Sequence, residues 1–276
     1  MDLLKTIFIT AIIFIPLERL LALRPQQAIG RAHWGNDLVF LLVNGFPIKF
    51  GLLAVMAAAA VVSERMIPEV RSGVSGLPWW VQLPLAIILS DLVFYWMHRA
   101  FHHFPSLWKF HAIHHSIEEM DWLAASRVHP VDQIMTKGAA LIPVVALGFS
   151  DWVVATYVLL YFWQSTFIHA NVRLRFGPFK FLIASPEFHH WHHSRALEAR
   201  DRNFAGQLPF LDILFGTMHL PRGRMPASYG IDQPMSQNYL AQMLYPVLAA
   251  DADQAGREDE QQMKPADPNT RSRVAG

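Results

Sequence analysis

The sequence predicts an all-α integral membrane protein of about four to five transmembrane helices, two of them paired as a short hairpin, with a helical cap at one membrane face carrying a histidine-rich site. Three observations carry this prediction. Of the 276 residues, 53% are hydrophobic and 16% charged, against roughly 25% charged in an average soluble domain. Four stretches are long and apolar enough to span a bilayer, and 10 of the 14 histidines fall in two short windows.

The first stretch, Leu3 to Leu23, lacks a basic start and a small-residue cleavage site and carries Glu18 and Arg19 near its end, so it reads as a retained span and not a cleaved signal. Leu38 to Val62 and Trp79 to Met97 follow. Gly138 to Ile168 runs 31 residues with a single charge, Asp151 beside Ser150, which is too long for one ordinary span and reads as a helical hairpin. With the first span running outside to inside, residues 24–36, 99–137 and 169–250 share one side and hold 2, 4 and 8 Lys or Arg, while the other side receives Lys5, Arg65 and Arg71. The positive-inside bias places the histidine-bearing segments in the cytoplasm. Residues 1–250 read as a single membrane-embedded domain with its chemistry at about 80–220. Residues 251–276 have almost no large apolar side chains and are expected to be a disordered tail.

Composition also excludes functions. A net charge of +1 leaves no broad basic face for phosphates, so nucleic acid is not an expected partner. With no cysteine, disulfides, thiolate metal sites and a cysteine nucleophile are absent, and any metal must be held by histidine, carboxylate or carbonyl groups.

Six histidines lie between His98 and His115, and four between His189 and His193. Residues three and four apart share a helix face and can converge on one ion. His98 and His102 form such a pair; His111, His114 and His115 give i, i+3, i+4, and His189, His192 and His193 repeat it in a second FHxxHHS frame. Eight imidazoles exceed what one tetrahedral ion uses, so two ions are expected, and imidazole alone leaves iron, copper, nickel and zinc open. His169, ending the last hydrophobic stretch, is a ninth candidate ligand. His129 in SRVHPVD, His190 and His103 are further candidates, with Asp132 placed near His129, whereas His33 and His219 read as structural. Asp91 lies inside the third span, where an ionisable residue is expensive and by default functional. With Tyr95, His98 and His102 it forms one stripe, on which Asp91 would orient a ligand imidazole through a hydrogen bond and Tyr95 would stand beside it. The bland alternative pairs Asp91 with Arg99 or Lys49.

These segments, HRAFH from His98, HAIHH from His111, HAN at His169 and HHWHH ending at His193, resemble the fatty acid hydroxylase and sterol desaturase superfamily of integral membrane non-haem di-iron enzymes. DLVFYWMHR from Asp91, HPVD at His129, SPEFHHWHHS from Ser185, Asn203 and DILFGT from Asp212 extend the resemblance, although Leu211 stands where the family carries an aromatic residue. The resemblance implies two Fe ions, with zinc an alternative occupant after purification, O2 as co-substrate, and hydroxylation or desaturation of a lipid C–H bond. The chain has no HPGG haem-binding run and no GxGxxG fingerprint, so a separate electron donor is expected: a cytochrome b5-like protein, a ferredoxin or a reductase. The expected site is cytoplasmic, in a bacterial inner membrane or the ER. Two rival readings use the same histidines: a zinc-dependent membrane hydrolase with Glu118, Glu119 or Glu187 as base, and a membrane metal-binding or transport protein.

Overall fold

The computed structural model describes residues 3–249; the tail at 251–276 lies outside them. The described residues form helices, with two isolated β-bridges and no strands. In chain order they are α1 (Leu3–Leu20), α2 (Trp34–Met66), α3 (Pro68–Ser75), α4 (Trp79–His103), α5 (Pro105–His115), a 3-10 turn at Trp122–Ser126, α6 (Pro130–Ala146), α7 (Asp151–His169), a 3-10 turn at Gly177–Phe181, α8 (Pro186–His192), a 3-10 turn at Leu197–Ala199, α9 (Phe210–Leu214) and α10 (Tyr239–Ala249).

Among the described residues, α2 and α4 are the helices long and apolar enough to cross a membrane. Only 11% of the most apolar window of α2 is buried inside the protein, and its Phe46, Phe50, Leu53 and Val62 point outward. A helix that is apolar on its exposed face is solvated by lipid and not by water. The predicted break in the long apolar stretch is present, α6 and α7 being joined by residues 147–150, but the two helices pack on their neighbours rather than along each other as a hairpin. Gly148 there has φ +79° and lies against the Arg71 backbone, where a Cβ would come within 2.8 Å of Arg71 Cα. That approach admits only glycine. Helix α6 packs against both α2 and α4, and α7 packs against α4 and α8.

Proline sets where the histidine helices begin. Phe104, held extended by the following Pro105, ends α4 directly after His103, and Pro105 opens α5 at a position whose missing N–H would have been unsatisfied anyway. The chain therefore folds back on itself between the first histidine pair and the second group. Pro130 and Pro186 start α6 and α8 in the same manner, capped by His129 Nδ1 on the Val131 N–H and by Ser185 Oγ on the Phe188 N–H. The ends of α1 and α7 are tied together by the Leu23 N–H to Asn171 carbonyl and Arg173 N–H to Leu21 carbonyl bonds, which fixes the chain just beyond His169.

Candidate metal centre

These folds bring together the nine predicted ligand side chains, and divide them in a way that spacing did not predict. His98, His102, His111, His115 and His192 form one group, and His114, His169, His189 and His193 another; within each group one ligand atom per residue lies within 4.8 Å of the others. Each i, i+3, i+4 triad was expected to serve one ion. Instead its i, i+4 pair goes to one group and its i+3 residue to the other: His111 and His115 face the first group while His114 faces the second, and His189 and His193 face the second while His192 crosses to the first.

Hydrogen bonds fix the tautomers. A carbonyl can only accept, so the ring nitrogen facing it carries the proton. His98 Nδ1 donates to the Phe204 carbonyl at 2.8 Å, His114 to Arg127 at 3.1 Å, His169 to Ser165 at 2.6 Å and His192 to Arg202 at 2.8 Å. His111 Nδ1 donates to the Asp132 carboxylate at 2.8 Å. Burial, reinforced by neighbouring imidazoles, pushes His114, His115, His189, His192 and His193 well below the usual histidine range, so these rings are neutral at neutral pH.

A neutral ring protonated on Nδ1 presents Nε2 as a bare lone pair. In the first group His98 Nε2 and His111 Nε2 stand 3.0 Å apart, and in the second His114 Nε2 and His169 Nε2 stand 3.1 Å apart. In all four rings Nδ1 is engaged on the far side, so when the rings are neutral neither contact contains a donor. Buried lone pairs facing one another without a proton are unfavourable, and a cation between them removes the conflict. His189 Nε2 adds to the second group, 3.0 Å from His169 and 3.1 Å from His193. His102 Nε2, buried beside the first group, has no hydrogen-bond partner. The donor set therefore fits two imidazole-bound ions.

The other predicted residues are placed elsewhere. Asp91 touches no imidazole and pairs with neither Arg99 nor Lys49; its carboxylate accepts the backbone N–H groups of Gly206, Gln207 and Leu208 at 2.7 to 3.1 Å. Asp212 does the same for Phe204 and Ala205. The two carboxylates pin residues 202–208 as a strap across the site, and the strap carbonyls of Arg202 and Phe204 hold His192 and His98. Gly206 lets the strap lie close there, since a Cβ would sit 3.0 Å from Asp91 Oδ1 and 3.1 Å from the Phe94 ring. Tyr95 also serves the strap: its hydroxyl donates to Thr217, which donates to Asp212. His129 caps α6, His190 bonds the Tyr229 hydroxyl at 2.9 Å, and His103 is exposed; none joins either group. His33 and His219 also stand apart. The orienting residues that sequence reasoning missed are backbone carbonyls, which carry no side-chain signal. Asp132, expected near the site together with His129, meets His111 at 2.8 Å, and Asp201 meets His102 at 3.3 Å.

A chamber of about 40 Å³ lies between the groups, bordered by His98, His111, His114, His169 and His189. It adjoins an apolar cavity of about 310 Å³ between α1, α2, α6 and α7, with which it shares Ala125, Val128, Gln133, Lys137, Tyr161 and Ser165. None of the three glutamates of the hydrolase reading borders the chamber. Glu118 pairs with Arg195, Glu119 accepts from the Ala32 N–H, and Glu187 lines a separate cleft beside Arg24, Arg173 and Arg224.

Residues 83–217 match the fatty acid hydroxylase family. The chain is 27% identical over 219 residues to ornithine lipid hydroxylase OlsE of Rhizobium tropici, covering 76% of this chain and 65% of that protein. It is 31% identical over 160 residues to human alkylglycerol monooxygenase, covering 58% and 34%. Very-long-chain aldehyde decarbonylase GL1-11 of Oryza sativa subsp. indica is 27% identical over 150 residues, covering 51% and 55%. The chain thus spans about a third to two thirds of the length of these relatives. No solved structure matches. The matched segment contains every histidine of both groups, together with Asp91, Asp132 and Asp212 that position them, and this segment belongs to the fatty acid hydroxylase superfamily.

Proposed function

We propose that this protein is a membrane-bound di-iron oxygenase that uses O2 and electrons from a separate donor protein to hydroxylate a C–H bond of a lipid. The observation that carries this reading is the pair of close Nε2-to-Nε2 contacts, His98 with His111 and His114 with His169, one in each histidine group. His98, His102, His111, His115 and His192 would hold one iron, and His114, His169, His189 and His193 the other. Iron there would supply the redox chemistry that oxidation of an unactivated C–H bond requires and that amino-acid side chains lack.

The protein's own contribution is orientation and exclusion of water. Asp132 fixes the His111 tautomer and raises the basicity of its Nε2, and the strap carbonyls do the same for His98 and His192. The chamber is small, about 40 Å³, so it admits a few atoms of a substrate and not the lipid body. The lipid body is received by the apolar cavity, whose wall includes Phe40, Leu41, Leu141, Val158 and Phe162; burial of the chain there is spent on positioning. Helices α1, α2, α4, α6 and α7 form the membrane-embedded part, with the histidines at the cytoplasmic ends of α4 and α7. Hydroxylation is preferred to desaturation because two relatives are named as a hydroxylase and a monooxygenase.

The test is turnover in membranes supplied with a lipid extract, a reductase system and isotope-labelled O2. A lipid that gains one labelled oxygen, lost when His114 or His192 is replaced by alanine, supports the reading. Loss of lipid ester or amide groups without O2 uptake would replace it with hydrolysis.

A further inference from the structure

Lys137 is a cation placed where oxidation chemistry has no use for one. It lies on α6 and borders both the histidine chamber and the apolar cavity. Its Nζ stands 5.1 Å from the centre of the Tyr161 ring, and among the described residues no carboxylate forms an ion pair with it. Asp132, the acid nearest in sequence, attracts the ammonium through space but makes no ion pair with it, since its Oδ2 lies on His111 and its Oδ1 near the Thr136 hydroxyl. An ammonium among apolar side chains is costly unless an anion or several acceptors meet it, and an aromatic face compensates only part of that cost.

The position of Lys137 matters more than its charge. The chamber and the cavity share Ala125, Val128, Gln133, Lys137, Tyr161 and Ser165, so these residues form the neck that a lipid chain in the cavity must pass to meet the histidines. A chain threaded through the neck would leave its methylenes against a bare ammonium. A chain lying in the cavity with a polar end at the neck would give the ammonium a partner and let only the adjoining carbon reach the 40 Å³ chamber.

We infer that Lys137 is a specificity-determining residue that binds an anionic oxygen group of the substrate, a carboxylate or a phosphate, so that the carbon presented to the histidines lies within a few bonds of that group. The substrate class is then an amphiphile with its acidic group beside a long apolar chain. This assignment rests on the oxygenase reading for its consequence in turnover, but not for the binding itself.

The experiment is photolabelling of detergent-purified protein with a diazirine-bearing palmitate, in competition with palmitate, hexadecyl phosphate or hexadecanol, with the labelled peptides mapped by mass spectrometry. Labelling is expected on α2, α6 or α7. Palmitate or hexadecyl phosphate should compete at a concentration about tenfold below that of hexadecanol, as expected for one charge-assisted hydrogen bond, and whichever of the two competes better identifies the anion. Lys137→Met should abolish the difference and Lys137→Arg should keep most of it. Hexadecanol competing as well as the two acids on the native protein, labelling that maps away from the cavity, or a difference that survives in Lys137→Met would each overturn the assignment. The native-protein comparison decides the matter even if Lys137→Met fails to fold. Iron content measured on the same samples separates the two claims: acid preference without iron defeats the oxygenase reading alone, and iron without acid preference defeats the Lys137 assignment alone.

Discussion

The two histidine groups use the same side chain in different surroundings. In the outer group, His111 is backed by the Asp132 carboxylate, His102 stands 3.3 Å from Asp201, and His102, His115 and His192 border a polar cleft of about 430 Å³. In the inner group the two anchored rings, His114 and His169, rest on main-chain carbonyls, and the Nδ1 atoms of His189 and His193 have no hydrogen-bond partner. A carboxylate behind an imidazole makes it a stronger donor to metal than a carbonyl does. The structure therefore pairs a better-tuned group that faces water with a more sheltered group beside the apolar cavity, and two bound ions should differ in affinity and in access.

The largest effects should come from breaking one group at a time. His114→Ala and His192→Ala should each abolish oxygenation, and elemental analysis should show each variant losing about one equivalent of iron while membrane insertion persists. Loss of all metal from either variant would show that the groups form one inseparable cluster and would end the comparison. Asp132→Asn should lower metal affinity of the outer group by about 10- to 100-fold, read as iron retained after dialysis against graded chelator; equal loss from both groups would deny Asp132 its selective role.

Asp91→Asn should act through the strap. A carboxamide presents only one acceptor oxygen where Asp91 receives three backbone N–H groups, and each buried hydrogen bond left unmade costs about 1–3 kcal/mol. Because His98 and His192 hang from that strap, the outer iron should be lost before the inner one. Unchanged metal content would make Asp91 a purely structural residue.

A smaller effect concerns pH. The folded-state pKa values of His114, His115, His189, His192 and His193 lie well below the usual value, so between the two the unfolded chain binds more protons than the folded one. Stability of metal-free protein is then fully present above about pH 6.5 and declines as pH falls below it. A melting temperature lower at about pH 5.5 than at about pH 7.5 is expected; the reverse order would mean that these rings are charged when folded.

How far the sequence foretold this site follows from where each contact is encoded. The ligand-bearing helices, the break at residues 147–150 and the convergence of His169 with the other histidines follow from local periodicity and from apolar length. The allocation of ligands does not, because it depends on the angle at which α5 and α8 approach each other, and so His114 and His192 exchanged groups. Asp91 was recognised as expensive within a span but assigned the wrong partner, since its acceptors are backbone N–H groups 115 to 117 residues away. The carbonyls of Arg127, Ser165, Arg202 and Phe204 are available from any residue type, and only the folded backbone selects them.

The central claim, two histidine-bound irons in a lipid oxygenase, is tested most directly by elemental analysis of detergent-purified protein paired with oxygen consumption after chemical reduction. About two irons per chain with oxygen uptake is the result predicted from the two donor sets. Stoichiometric zinc with no uptake, reproduced after iron reconstitution, would contradict it.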